Sequence, residues 1–423
     1  MKVILKLPKV WGAFLGNFFE HYDTALFTAL APFLAPIFFP HESFLASLIY
    51  TYALIPLGMA ARPLGAVLFG RVGDRYSRET ALFYSMGGMA LVSFLLAFCP
   101  EGVWGAVILG VGRFLQNLFA SGESMGGAIY ILEKAPKEKH DLLSSLFSMS
   151  TVAGILAASL AVTVLYHTVG VEQGWRLLYL IGCATGLCGM ALRRNPDAEK
   201  RGERPVSNLL ETAWTYRRAI GIIALASGFT YATFSVGLVL MNGFIPLVTP
   251  FSKGEMVQLN VFLLAYMMLA LPLLGKLATR ISRELLMRLA LATVVVAAPL
   301  LFYLLAESSF SEIVAIRVLL VTLGVAYSSS FHAWAQQLVP KECRYFVVSV
   351  GYALGTQLFG GPCSAVSLWL YYATEIPWVA SLYWVGLAAA NSALFYRLQY
   401  YSKLERNSSY DLATSITRNN PNA

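Results

Sequence analysis

Eight ionisable side chains interrupt stretches that are otherwise apolar: Glu20, His21, Asp23, Arg62, Arg113, Glu123, Arg317 and His332. Placing a charge in hydrocarbon costs roughly 3 kcal/mol on insertion scales, so each marks a candidate functional site. Glu20 and Asp23 lie three positions apart and share a helix face with Asn17 and Thr24. At 1.5 Å per helical residue, Asp23 and Arg113 fall near mid-span, while Glu20, Arg62 and Glu123 fall in the inner third. Two groupings follow: Asp23 with Arg113, and Arg62 with Glu20 and Glu123.

This chemistry suits proton coupling. Within the spans of the first half three carboxylates (Glu20, Asp23, Glu123) face two arginines (Arg62, Arg113), and one carboxylate kept from full charge compensation can load a proton on one side and release it on the other. Asp23, Glu20 and Glu123 are the candidate proton carriers. Arg113 stays charged and offers a bidentate fork to a substrate carboxylate. Asn17, Tyr22, Tyr231, Trp334 and Tyr352 are candidate substrate contacts, the aromatic ones (with Tyr130) through cation–π attraction to an ammonium group. The competing reading makes the charges a permanent salt-bridge network, the aromatics packing residues, and His332 a helix–helix hydrogen-bonding group.

The elements that must position these residues are transmembrane helices. Of 423 residues 57% are hydrophobic and only 13% charged, with a mean hydropathy of +0.62. Windows of roughly 20 apolar residues recur along the chain and divide it into twelve spans. Segments this long and continuously apolar must be helices, since backbone groups find no water in lipid. The expected class is an all-α polytopic membrane protein of two pseudo-symmetric six-helix bundles. Residues 1–193 form the first bundle, 194–217 a cytoplasmic linker, 218–400 the second bundle and 401–423 a short polar cytoplasmic tail. Lys2, Lys6 and Lys9 precede the first apolar run with no small-residue cleavage site after it, which reads as a retained helix.

The net charge of +8 is a topology signal. Lys and Arg concentrate at the amino terminus and in alternate connections, while Glu42, Glu101, Glu172, Glu255, Glu307, Glu312 and Glu375 occupy the opposite ones. The positive-inside rule then puts both termini in the cytoplasm of a multi-pass plasma (inner) membrane protein. No nucleic-acid partner is expected; the partners are the lipid bilayer and a small-molecule substrate, and the expected working unit is a monomer. Five scattered cysteines argue against a disulfide framework, and no metal or cofactor is expected beyond protons as coupling ion.

The bundle is doubled. Gly70-Arg-Val-Gly-Asp-Arg-Tyr-Ser-Arg-Glu79 is echoed by Gly275-Lys-Leu-Ala-Thr-Arg-Ile-Ser-Arg-Glu284, an offset of 205. Pro136-Lys-Glu138 and Pro340-Lys-Glu342 repeat at 204, as do Arg113 and Arg317. Repeats of this kind with a site between the halves are a common plan of secondary transporters.

Several segments together resemble the metabolite:proton symporter family of the major facilitator superfamily: Gly16-Asn-Phe-Phe-Glu-His-Tyr-Asp23, Arg62-Pro-Leu-Gly65, Gly70–Glu79, Arg113-Phe-Leu-Gln116, Ser121-Gly-Glu-Ser-Met-Gly-Gly127, Gly174-Trp-Arg176, Pro340–Tyr345 and Gly351-Tyr-Ala-Leu-Gly355. The resemblance covers nearly the whole chain and is nearest to the proline/betaine symporters, with carboxylate carriers sharing most of the motifs. It implies the major facilitator fold and import of a small solute by proton symport through alternating access, preferably of proline or glycine betaine. A mono-, di- or tricarboxylate is the alternative substrate, and a non-transporting sensor or receptor the alternative function. His21 stands where the family has Trp, Ser77 replaces a turn Gly, Glu79 a second base, and Thr279 the Asp of the second hairpin, which predicts a weaker second latch.

The first hairpin reads as a cytoplasmic gate. Asp74 can cap a helix or pair with a base from a neighbouring helix end, Gly70 and Gly73 permit close backbone approach, Arg75 and Arg78 face the cytoplasm, and Arg62 lies behind them. Gly122-Glu-Ser-Met-Gly126 formally matches a nucleophile elbow, but inside an apolar helix it lacks the strand-turn-helix context. No catalytic residues are expected, and the chain reads as no enzyme.

Overall fold

A computed structural model describes residues 8–193 and 209–397. Positions 194–208 of the expected linker and the expected tail from 401 onward lie outside the described residues. Among those described the chain is helical, with no strand.

The first span is α1 (Pro8–Phe38). The second is broken into α2 (Phe44–Met59) and α3 (Arg62–Arg75). Pro56 removes a ladder donor near the end of α2, and Pro63 fits only the opening turn of α3. Four spans follow: α4 (Arg78–Ala97), α5 (Gly102–Lys134), α6 (His140–Thr168) and α7 (Val171–Arg193). After the short α8 (Leu209–Thr215), the seventh span runs through α9 (Arg217–Phe234), a π-helical stretch Ser235–Leu240, and α10 (Met241–Val248). The eighth and ninth are α11 (Lys253–Ile281) and α12 (Arg283–Leu304), and the tenth joins α13 (Phe310–Ser328) to α14 (Phe331–Ala335). The eleventh is α15 (Arg344–Gly355), a second π-helical stretch Thr356–Gly360, and α16 (Cys363–Thr374). The twelfth, α17, covers 382–397. Among the described residues nine of the spans are long and apolar enough to cross a membrane by length and hydropathy alone.

Within the expected linker 194–217, α8 packs Leu209 and Ala213 against the core of the second half.

Helix ends carry their own stop and start chemistry. Ser252 with Glu255, and Ser309 with Glu312, close reciprocal capping boxes on α11 and α13. Ser77 has extended backbone and caps α4 by accepting from Thr80 N at 3.0 Å. Its repeat mate Ser282 sits at φ 77°, a region that favours glycine, and caps α12.

Each half has an aromatic centre. Phe38, Trp175 and Tyr179 stack edge to face in the first. In the second, Tyr327 meets Phe229 edge to face while Trp384 stacks nearly parallel to Phe229, and Trp384 Nε1 donates to Thr233 Oγ1 at 3.1 Å. Outward-facing Leu64, Leu95, Val296 and Leu300 leave an apolar belt suited to lipid. The halves meet along two seams. A Cβ on Gly70 of α3 would lie 2.7 Å from Phe346 Cα of α15, and one on Gly275 of α11 would lie 2.1 Å from Ser145 Oγ of α6. Both repeated hairpins therefore lie on one face of the molecule, the face rich in Lys and Arg.

Candidate functional site

The polar stripe of α1 divides its members among four neighbours, α3, α4, α5 and α6. Asn17 Nδ2 donates to Phe147 O (3.0 Å), Ser150 Oγ and Thr151 Oγ1 (both 2.8 Å), fastening α1 to α6. These acceptors occupy the amide nitrogen of a residue expected to touch substrate.

Asp23 faces the interior of the first half. Ser93 Oγ of α4 lies 2.9 Å from both carboxylate oxygens, and Gln116 Nε2 of α5 donates to Oδ2 at 2.7 Å. Arg113 Nη1 donates to Gln116 Oε1 at 3.0 Å, its Nη2 to Thr24 O at 3.3 Å, and its guanidinium lies 4.7 Å over the Phe27 ring. The expected grouping of Asp23 with Arg113 thus exists, but Gln116 stands between the two and they form no direct ion pair. The network is sealed in the bundle: Asp23 is 3% exposed and Arg113 2%.

Glu20, one turn nearer the basic face, points to the seam between the halves. Its Oε1 accepts from Ser124 Oγ at 2.8 Å and lies 4.0 Å from Arg62 Nη2. Oε2 lies 3.3 Å from His21 Nδ1, which is itself bonded to Asn17 O, and has no hydrogen-bond partner. Arg62 Nε donates to Asn117 Oδ1 at 2.9 Å, and Asn117 Nδ2 returns to Arg113 O, so Asn117 joins the two networks. Glu123, fully buried on α5, lies beside Gly127.

Between the halves Arg62 lines a cavity with Ser121, Ser124, Ser349, Tyr352 and Thr356. With the basic face closed it measures about 10 Å³, room for one water. Ser349 Oγ is buried there without a partner. Arg62, grouped by sequence both with Glu20 and with the gate, lines this cavity about two helical turns behind Gly70.

The gate itself is built by capping across the halves. Asp74 Oδ2 accepts from Phe346 N at 2.8 Å and Oδ1 from Tyr345 N at 3.2 Å, two of the unpaired amides that open α15. Cys343, the residue at the cap position of α15, supplies no side-chain bond, so the carboxylate of the other half takes that role near the positive end of the helix dipole. Arg78 pairs with Asp74 and donates to Gly73 O (2.7 Å) and Lys341 O (2.9 Å), and both Arg78 and Arg344 reach Glu133 at 3.3 Å. The Tyr345 hydroxyl donates to Gly122 O, and a Cβ on Gly73 would lie 1.9 Å from the Tyr345 ring. Arg78 is therefore not a solvent-facing charge, being 5% exposed; Arg75 is exposed, outside the latch, its guanidinium over Tyr76. The second hairpin contributes the pair Arg283 Nε to Asp141 Oδ1 at 3.0 Å, while Thr279 Oγ1 donates to Lys276 O of its own helix.

Of the aromatic candidates, Tyr352 lines the cavity and Tyr231 packs against Gly360. Tyr22 is buried in the first half's core. Trp334 stacks on Phe395 at 5.0 Å, and Tyr130 bonds Glu79 at the basic face. His332 sets its ring edge against Phe147 of the other half, 5.2 Å between centroids. Arg317, fully buried, is held by Met256 O, Gly237 O, Asn242 and Asn260. Sequence reasoning missed Ser93, Gln116, Asn117, Ser124, Glu133 and Asp141. A signal existed for two of them, since Gln116 and Asn117 follow Arg113 at helical spacings of three and four.

Residues 13–361 match the family described as the Major Facilitator Superfamily. A Staphylococcus aureus (strain COL) protein named "Putative proline/betaine transporter" is 26% identical over 395 residues, covering 88% of this chain and 84% of its own. The citrate-proton symporter of Salmonella typhi is 28% identical over 404 residues (90% and 92%), and the alpha-ketoglutarate permease of Escherichia coli (strain K12) is 26% identical over 378 (85% and 87%). Among solved structures, the proton:xylose symporter XylE bound to 6-bromo-6-deoxy-D-glucose has a TM-score of 0.67 at 16% identity, with 93% of this chain and 95% of that one covered. A bacterial homologue of the iron transporter ferroportin has a TM-score of 0.71 at 13% identity, covering 92% and 99%. With twelve spans, a doubled architecture, a site between the halves and this family's sequence across most of its length, the chain belongs to the Major Facilitator Superfamily of membrane transporters.

Proposed function

We propose that the protein imports a small solute together with protons by alternating access, and that the solute is a zwitterion of the proline or glycine betaine kind. The observation that carries the reading is the lining of the cavity between the halves. Arg62 is the one base among its lining residues, and Tyr352 is its aromatic neighbour. One base can hold a single carboxylate by a bidentate fork, and an aromatic face suits an ammonium group. A di- or tricarboxylate would call for more than one cation. Names of relatives on both sides of that choice, proline/betaine and citrate, accompany similar identities, so the lining decides our preference.

Glu20 is the coupling carboxylate in this reading. Its Oε2 is free to receive a proton, and its Oε1 shares Arg62 at 4.0 Å. Protonation of Glu20 frees Arg62 for the carboxylate of the solute, and loss of the proton returns Arg62 to Glu20 and expels the solute. Proton and solute are thereby bound together without touching each other. Asp23 and Arg113 brace the bundle behind this site. The basic face is cytoplasmic, both termini with it, in the inner membrane, and the unit that works is one chain. No cofactor takes part.

The test is uptake into proteoliposomes of labelled glycine betaine, proline, citrate and α-ketoglutarate, with and without an imposed pH gradient. Gradient-driven accumulation of the zwitterions is expected, with Glu20→Gln abolishing accumulation while keeping solute exchange. Accumulation of citrate alone would overturn the substrate, accumulation indifferent to the gradient would overturn the coupling, and saturable binding with no accumulation would make the protein a receptor.

A further inference from the structure

α8 meets the seventh span at a single intervening residue, Tyr216. Its seven residues have two faces. Thr212 is buried, and Leu209, Ala213 and Tyr216 pack against the core of the second half. Leu210 and Trp214, one turn apart, point away and are 78% and 71% exposed. Arg217 continues the stripe: its guanidinium lies 4.6 Å over the Trp214 ring, and its Nη1 donates to Trp214 O at 2.8 Å.

Chain connectivity sets the depth of this stripe. Arg217 opens the span Arg217–Val248, and Trp214 is three residues earlier, so no more than about 10 Å of chain separates it from the membrane entry. Helices lying in the interface bury their apolar face about 5–10 Å into the headgroup boundary, where Trp is favoured. The surrounding sequence is basic: Arg193, Arg194, Lys200, Arg201, Arg204, Arg217 and Arg218 stand against Asp197, Glu199, Glu203 and Glu211. A protein interface of ordinary size takes about 800 Å² from each partner, far more than two side chains on a seven-residue helix offer.

We propose that the stripe Leu210–Trp214–Arg217 is a docking surface for an anionic phospholipid bilayer. Leu210 and Trp214 enter the boundary between acyl chains and headgroups, and Arg217 and Arg218 meet lipid phosphates. The second half is thereby pinned to the charged leaflet at the point where the connection from the first half arrives.

The experiment uses the full chain in nanodiscs of phosphatidylcholine alone or with about one-third phosphatidylglycerol. Fluorescent labels go on Leu210→Cys, Glu211→Cys, Trp214→Cys and Thr215→Cys, in a chain whose native cysteines are serine, and are quenched by brominated acyl chains or by aqueous iodide. Labels at 210 and 214 should be quenched by bromolipid several-fold more than those at 211 and 215. The contrast should grow with anionic lipid, and Arg217→Gln with Arg218→Gln should remove that growth. Equal iodide access at all four positions would overturn the proposal. So would protection of position 210 that rises with protein concentration in detergent, which would give the face to a second copy. Hydrogen–deuterium exchange on the unaltered chain guards against misfolded variants: uptake across 209–218 should slow with phosphatidylglycerol. Unchanged uptake, or the same slowing from inorganic phosphate at matched ionic strength, would count against a bilayer.

Discussion

Asp74 spends both carboxylate oxygens on backbone amides of the opposite half while holding Arg78. An amide in its place turns an N–H toward a backbone donor of α15 while Arg78 keeps Glu133, a loss of about 3 kcal/mol from the cross-half caps and so confined to the state with the basic face closed. At 1.4 kcal/mol per tenfold, Asp74→Asn should move the conformer ratio by about a hundredfold toward opening of that face. Cys343, half-buried at the latch, is a native reporter: maleimide labelling, read peptide by peptide, should accelerate in the variant, and an unchanged rate would remove the latch role. A second contrast separates the two polar networks. Arg62→Lys at the cavity should raise the KM for solute by about tenfold, since an ammonium lacks the planar fork. Gln116→Ala, which leaves Arg113 Nη1 without its acceptor and Asp23 with Ser93 alone, should cost about 1–3 kcal/mol of stability and leave KM within about twofold. A shifted KM in Gln116→Ala would mean that the sealed network reaches the solute.

Helices set what those side chains can reach, and glycines set how close the helices come. A Cβ on Gly70 meets Phe346 Cα across the halves, whereas one on Gly355 would lie 2.0 Å from Ala224 O inside the second half. Gly70→Ala should therefore open the basic face without lowering Tm much, while Gly355→Ala should lower Tm by an overpacking cost of about 1–3 kcal/mol. Thermal unfolding followed beside Cys343 labelling checks both. The spans themselves showed in the sequence because lipid demands runs of apolar residues bounded by bases, whereas the break at Ala60–Ala61, between Pro56 and Pro63, did not. The π-helical stretch Ser235–Leu240 did not, for it lies in an unbroken apolar run with no Gly-Pro signal. Ionisable site members stood out for the cost of burying them. Their partners were hidden: Ser93, Ser124, Gln116 and Asn117 are neutral, and the acceptors and donors that complete the latch are backbone groups of Tyr345, Phe346 and Lys341, which no side-chain pattern reveals.

The molecule as a whole is two unequal halves held shut by two unequal clasps. The first hairpin grips α15 by two amides and an ion-pair cluster, and the second holds α6 through Arg283 and Asp141. Both must part in the same motion, so their contributions to the closed state add. Asp141→Asn alone should accelerate Cys343 labelling by about fivefold, the loss of about 1 kcal/mol, and should multiply the effect of Asp74→Asn in the double variant. A double variant no faster than Asp74→Asn would mean that the second clasp is already open. One consequence of the cap that Asp74 lends to α15 lies in time. When the halves separate, the amides of Tyr345 and Phe346 lose their acceptors and face water, so their protons leave at a rate set by how often the transporter opens. Two hydrogens in the eleventh helix are thus a clock for the transport cycle, one that any solute, gradient or variant must either speed or slow.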